Sequence, residues 1–255
     1  MAWGLLFPSD FGRFFPDGDF EFDPIAKESL WRDRLRRHYL AQAEDEQIRL
    51  YDYRKFDTEG IGSAFGAGEY PTYVTGKFTY GIGIKGKPDS DAFVAAEENE
   101  APQTFYTLKF HASLGSMVKL SDRIIAVNEQ LKDIIENLEP GVHQFFRIDL
   151  HMPQAGGESS QYYTLVIGQY LESFSPPQSK PSSYVSYPKY PGFYNLEKTK
   201  KGLNGLALDH KKIGNSHLWR ERAFRETLTC LSDNLKTEIE NAGLDIPTCH
   251  EIRVY

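Results

Sequence analysis

Residues 124–150 can be slid onto residues 228–254 at a spacing of 104, and the two segments then share one layout. Ile124-Ile125-Ala126-Val127 falls on Leu228-Thr229-Cys230-Leu231, each a short apolar run that reads as a strand. Asn128 and Ser232 follow in helix N-cap position. Leu131, Lys132, Ile135, Glu136 and Asn137 recur unchanged as Leu235, Lys236, Ile239, Glu240 and Asn241. Pro140-Gly141 stops the first helix and Gly243 the second. Phe145 to Leu150 and Cys249 to Val254 then read as closing strands. Two strand-helix-strand units of this kind predict an α+β fold, a mixed sheet with helices packed on it. Chance likeness between two amphipathic helices is the alternative account of the repeat.

Elsewhere the pattern is more local. Asp23 as N-cap and Pro24 at the first position predict a helix over 23–46, with Trp31, Leu35 and Tyr39 as its buried stripe. Its arginines, 32, 34, 36 and 37, read with His38 as a solvated face interleaved with acids. The glycine-rich stretch 59–68 misses the phosphate-loop spacing and reads as a connection. Phe78, Tyr80, Ile82 and Ile84 alternate and predict a strand over 77–84. Thr104 to His111 predicts another, with Tyr106, Leu108 and Phe110 on its apolar face, and Tyr162 to Leu171 a third. The segment 173–194 carries Pro176, Pro177, Pro181, Pro188 and Pro191, which propagate neither a helix nor a central strand. It reads as an extended arm or loop, free or folded back on the body. The expected organisation is a region 1–115, a region 116–255 carrying this arm, and one body overall.

Composition excludes several function classes. The net charge of −7 opposes general nucleic-acid binding, which needs an excess of Lys and Arg, and favours a basic protein partner. No run of about 18 apolar residues is present, and the opening eight residues lack a signal-peptide core, so a soluble cytoplasmic protein is expected. Cys230 and Cys249 stand apart from any metal-ligand spacing and read as reduced thiols. None of the seven histidines falls in a catalytic motif. Asp149 and His151 share a strand face at i,i+2, but no third ligand accompanies them. No cofactor, metal or catalytic residue is expected.

From Val118 onward the order of parts resembles immunity protein family eleven of bacterial polymorphic toxin systems. The stretches that carry it are VKLSDRIIAVNEQLKDIIE, PGVHQFFRIDL and YYTLVIGQYLESFSP, together with the long run LALDHKKIGNSHLWRERAFRETLTCLSDNLKTEIENAGL. The last holds Asp209, Lys212, Ile213-Gly214, His217 to Arg220 and the Ala242-Gly243-Leu244 stop. The resemblance implies a non-catalytic protein that neutralises a cognate toxin by direct contact. An enzyme that reverses the toxin's modification, or an orphan ligand binder, is the alternative.

Two segments are the expected contact surfaces. One is the acidic loop with Asp89, Asp91, Glu97, Glu98 and Glu100. The other is the arm with Tyr184, Tyr187 and Tyr190, since tyrosine offers large contact area at small entropic cost. Trp219 and Arg220 have two readings: interface anchors, or a core tryptophan beside an arginine that ties down a carboxylate such as Asp209.

Overall fold

The computed structural model describes residues 1–23, 28–50, 68–79, 95–153, 159–187, 192–197, 203–224 and 228–255. The first strands are β1 (Ala2–Leu6), β2 (Gly18–Phe20), β3 (Phe22–Asp23) and β4 (Glu28–Ser29). Helices α1 (Leu30–Leu40), α2 (Glu44–Leu50) and α3 (Tyr70–Thr79) follow, then β5 (Thr104–Thr107), β6 (Met117–Lys119) and β7 (Ile125–Val127). Next come α4 (Glu129–Leu138), β8 (Gln144–His151), β9 (Ser159–Val166), β10 (Tyr170–Leu171), β11 (Tyr184–Ser186), β12 (Tyr194–Leu196) and β13 (Ala207–Leu208). The chain closes with α5 (His210–Ile213), β14 (Leu218–Glu221), β15 (Leu228–Ser232), α6 (Asp233–Asn241) and β16 (Thr248–Val254). This is an α+β fold.

Two six-stranded sheets organise it, ordered β10-β14-β15-β1-β16-β13 and β2-β5-β8-β9-β7-β6. Within them the segments β14-β15-β1-β16-β13 and β6-β7-β9-β8-β5 match in order and in polarity. In each, three successive antiparallel pairings end on a parallel one, β13 with β16 and β5 with β8. The predicted units are therefore real, as β7-α4-β8 and β15-α6-β16. The strand inserted between the two unit strands is β9 in one sheet and β1, from the opposite end of the chain, in the other. Residues on both sides of position 115 thus build each sheet.

The local chemistry of the units is also shared. Asn128 Oδ1 accepts the N–H of Leu131 at 3.0 Å, and Ser232 Oγ accepts that of Leu235 at 3.1 Å. Each cap satisfies one of the otherwise orphaned first-turn donors. Gly141 and Gly243, at φ +70° and +65°, occupy the left-handed region that lets the chain leave each helix. Leu131, Ile135, Leu235 and Ile239 are buried in one cluster with Leu5, Leu165, Leu218 and Leu231. The two helices and the facing sides of both sheets therefore share a core.

A second core lies on the other side of the β2-to-β6 sheet, where Phe20, Phe105, Phe146, Ile148 and Leu150 pack under Trp31, Leu35 and Tyr39 of α1 and Tyr70, Val74 and Phe78 of α3. A third gathers Trp219, Cys230, Ile252, Leu203 and Phe174 on the far side of the β10-to-β13 sheet.

Four expectations change. The first long helix begins at Leu30, not Asp23, because Phe22 and Asp23 pair with Ser29 and Glu28. Ser29 Oγ donates to the Phe20 carbonyl and Leu30 N–H to that of Glu21, so the segment is held to the sheet edge before helix can start. That helix also ends at Leu40. Residues 77–79 close a helix instead of opening a strand. Tyr70, Tyr73, Val74, Lys77 and Phe78 form a buried stripe at i, i+3, i+4, i+7 and i+8, and the supposed alternation began inside it. The rest of that segment, like the glycine-rich stretch up to residue 67, lies outside the described residues.

Strand β5 stops at Thr107, whose hydroxyl donates to the Lys109 carbonyl and turns the chain. Its facing is opposite to that expected: Phe105 and Thr107 point inward, whereas Tyr106, Leu108 and Phe110 are exposed. Finally, the stretch 162–171 splits into β9 and β10, and β10 joins the other sheet.

Because Leu131 and Leu235 occupy equivalent places in one core, Leu131→Ala and Leu235→Ala should each lower unfolding free energy by about 2–5 kcal/mol. Both should also shift a single cooperative urea transition. A loss confined to one half of a biphasic transition would show that the helices do not share a core.

Candidate partner-binding surface

Several expected contact residues lie inside. Glu100 is fully buried, and its carboxylate receives Lys77 Nζ at 2.6 and 2.7 Å, Tyr70 Oη at 2.7 Å and the Glu97 N–H at 2.7 Å. Its carbonyl accepts the Trp31 indole at 2.9 Å. Burial, then the adjacent Glu100, pushes the Tyr70 phenol well above its ordinary range, so it stays a donor. This cluster ties the loop before β5 to α1 and α3. Glu97 and Glu98 remain accessible, while Asp89 and Asp91 lie outside the described residues.

Trp219 and Arg220 are buried as well, at 0% and 2% exposure. Arg220 donates to Tyr170 Oη at 3.1 Å and to the Phe78 carbonyl at 2.5 Å, at the C-terminal end of α3. Its role is the structural one, with a phenol and a helix-end carbonyl in the place expected for Asp209. Asp209 instead caps α5 by accepting the Lys211 N–H. An arginine at a helix C-terminus also meets the negative end of the helix dipole.

The joint between the sheets is Glu139, just beyond α4. One oxygen accepts the N–H of His217 at 2.7 Å and Gln169 Nε2 at 2.5 Å; the other accepts the N–H of Leu218 at 2.9 Å and meets His143 Nε2 at 2.8 Å. Gly168 N–H donates to His143 Nδ1, so the ring proton sits on Nε2 and faces the carboxylate. Burial raises the Glu139 pKa, but hydrogen bonds from His143, His217 and Gln169 outweigh it and hold the carboxyl below its ordinary value. A carboxylate from one unit thereby fixes the start of β14 in the other sheet.

The tyrosine arm folds back in part. Phe174, Tyr184 and Tyr194 meet edge to face and Phe224 lies tilted against Phe174, with ring centroids 4.7–5.3 Å apart. Beneath it, Glu221 is fully buried and accepts the N–H and hydroxyl of Ser173 at 2.9 and 2.6 Å. Burial pushes its carboxyl up to about 7, with the Ser173 hydrogen bonds opposing. Val185 at 61% exposure and half-buried Tyr187 stay at the surface, and Tyr190 lies outside the described residues.

Surface chemistry that sequence patterns did not reveal appears once the units are overlaid. Tyr163 on β9 and Trp3 on β1 hold equivalent places, each under a repeat-related lysine. Lys132 Nζ lies 5.2 Å from the Tyr163 ring and Lys236 Nζ 5.5 Å from the Trp3 ring. Trp3 Nε1 donates to Asp233 at 3.0 Å and Tyr163 Oη contacts Glu129 at 3.5 Å, again 104 positions apart. Beyond Tyr163 the same sheet face is open: Arg147 meets Asp149, and His151 stacks on Tyr106 at 4.7 Å. Among the described residues, no group of His, Cys, Asp and Glu could hold a metal ion, and no helix is long and apolar enough to cross a membrane.

The geometry is that of a scaffold whose internal charges hold sheets and helices together and which leaves Arg147, Asp149, Tyr106 and His151 on one open sheet face. The Immunity protein family (Imm11) matches residues 75–247, most of the chain. The chain belongs to that family. No curated protein matches it.

Two predictions follow from the buried carboxylates. Glu139→Gln should cost about 1–3 kcal/mol in urea unfolding, because two backbone donors lose a charged acceptor. A loss below about 0.5 kcal/mol would remove Glu139 as the joint. Glu221, with a folded pKa above its free value of 4.5, stabilises fully below that value and progressively less as pH rises through about 7. Unfolding free energy of the native protein should therefore fall relative to Glu221→Gln between pH 5 and pH 8. Parallel pH profiles would contradict this.

Proposed function

We propose that this chain is an immunity protein that neutralises a cognate bacterial toxin by direct, non-catalytic protein–protein contact in the cytoplasm. The match to the immunity family over residues 75–247 carries this reading. The titratable groups add support: Lys77, Glu100, Glu139 and Glu221 are buried and engaged in structural hydrogen bonds, leaving none of the four free for reaction chemistry.

The proposed contacts are the accessible Glu97 and Glu98, with Asp89 and Asp91 from the same acidic stretch of sequence, and the arm tyrosines Tyr184, Tyr187 and Tyr190. An acidic protein of net charge −7 attracts a basic partner over long range, which raises association rate more than it lowers dissociation. Tyrosines on the arm would supply the slowly dissociating, desolvated centre.

Co-expression with a cognate toxin domain tests the proposal. The pair should co-purify at one to one, and Glu98→Lys should slow association several-fold while leaving the dissociation rate nearly unchanged. Failure of the purified pair to associate at micromolar concentration would reject the contact mechanism. An unchanged association rate would reject the acidic loop as part of the surface.

A further inference from the structure

Strands β8 and β16 hold equivalent places in the two sheets, and the charges they turn to the outer surface differ in one systematic way. Arg147 lies opposite Tyr163 and Asp149 opposite Thr104; at a spacing of 104, Glu251 lies opposite Trp3 and Arg253 opposite Ala207. Ile148 and Ile252, between these pairs, are fully buried on the other face of each sheet. The units keep their caps, glycine exits and buried helix stripe, yet at both of these positions the sign of the charge is reversed. At the same spacing, exposed Tyr255 corresponds to His151, which is stacked on Tyr106 at 4.7 Å.

Contacts within the chain do not account for the reversal. Arg147 reaches Asp149 at 3.3 Å along its own strand with 63% of its side chain exposed, and a pairing of that kind is worth little in water. Arg253 donates instead to the Gln178 carbonyl. The exposed Glu251 carboxylate meets no hydrogen-bond or ion-pair partner among the described residues.

The reversal does produce a match between two copies of the chain. Sheet faces pack with their strands nearly aligned. With β8 of one copy along β16 of another in the same direction, Arg147 faces Glu251, Asp149 faces Arg253 and His151 faces Tyr255. Pairing of the β8 face with itself would leave the Glu251 carboxylate unused, so the unpartnered acid favours β16 as the mate.

We propose that the protein self-associates head to tail, the exposed face of β8 on one copy docking on the exposed face of β16 on the next. The net charge of −7 on each copy opposes their approach. The contact is therefore weak, with a Kd on the order of 100 μM, as a small transient interface gives. Toxin neutralisation neither requires this contact nor follows from it.

Sedimentation velocity tests the proposal. The weight-average sedimentation coefficient of the native protein should rise between about 10 and 300 μM, a range that brackets that Kd. Arg147→Glu and Glu251→Arg should each stay monomeric over the same range, because like charges then meet at the docked position. Both side chains are exposed, so both variants should keep the native circular dichroism spectrum. Mixed in equal amounts, the two variants should associate again, since the acidic substitution on one then meets the basic substitution on the other.

A native protein that remains monomeric throughout, or a mixture of the variants that does not associate, would overturn the proposal. So would Glu251→Arg associating as the native protein does, which would show the β8 face pairing with itself. A monomeric native protein whose Arg147→Glu variant loses affinity for a cognate toxin would assign this face to the toxin instead. Toxin affinity unchanged in both variants would leave neutralisation standing whatever sedimentation shows, so the two readings fail separately.

Discussion

Everything in this structure hangs on one apolar seam, the core in which Leu131 and Ile135 of α4 meet Leu235 and Ile239 of α6 between the facing sides of two sheets. Neither sheet completes its own burial. Each helix covers its own unit and also a neighbour that the other unit supplies, and β1 must return from the far end of the chain to fill the strand position between β15 and β16. The seam is sealed by Glu139, whose four hydrogen bonds are directional where the apolar contacts are not.

Polar groups inside the protein serve the same end. Lys77 with Glu100, Arg220 with the end of α3, and Glu221 with Ser173 each join elements distant in sequence. Buried charges of this kind add little net stability, because desolvation offsets their attraction, but losing one partner is costly. They fix which elements pair.

Patterns confined to one element were legible in the sequence. The caps Asn128 and Ser232, the glycine exits at 141 and 243, the α1 stripe and the two repeated units all follow from local periodicity and capping chemistry, which neighbours do not override. Features that depend on distant partners were not. Strand β1 looked like an ordinary opening segment, because its strand character comes from β15 and β16. Glu100 looked like one more acid in a solvated loop, because its partner Lys77 sits on a helix whose stripe was read as a strand. Tyr106, Leu108 and Phe110 looked like an inward face, because alternation gives two faces without saying which is covered; the covered one is set by Phe20 and Ile148 across the sheet. For Trp219 and Arg220 the structural reading was already available in the sequence, but the partners of Arg220 were not, because Tyr170 and Phe78 come from distant segments.

The central claim is that this scaffold works by occupying a partner stoichiometrically. Its most direct test is the residual activity of a fixed amount of the cognate toxin as this protein is added at concentrations far above the dissociation constant. The account predicts a linear fall to zero with the break at one protein per toxin. Full protection at a small fraction of an equivalent would contradict it, since only turnover can protect beyond stoichiometry.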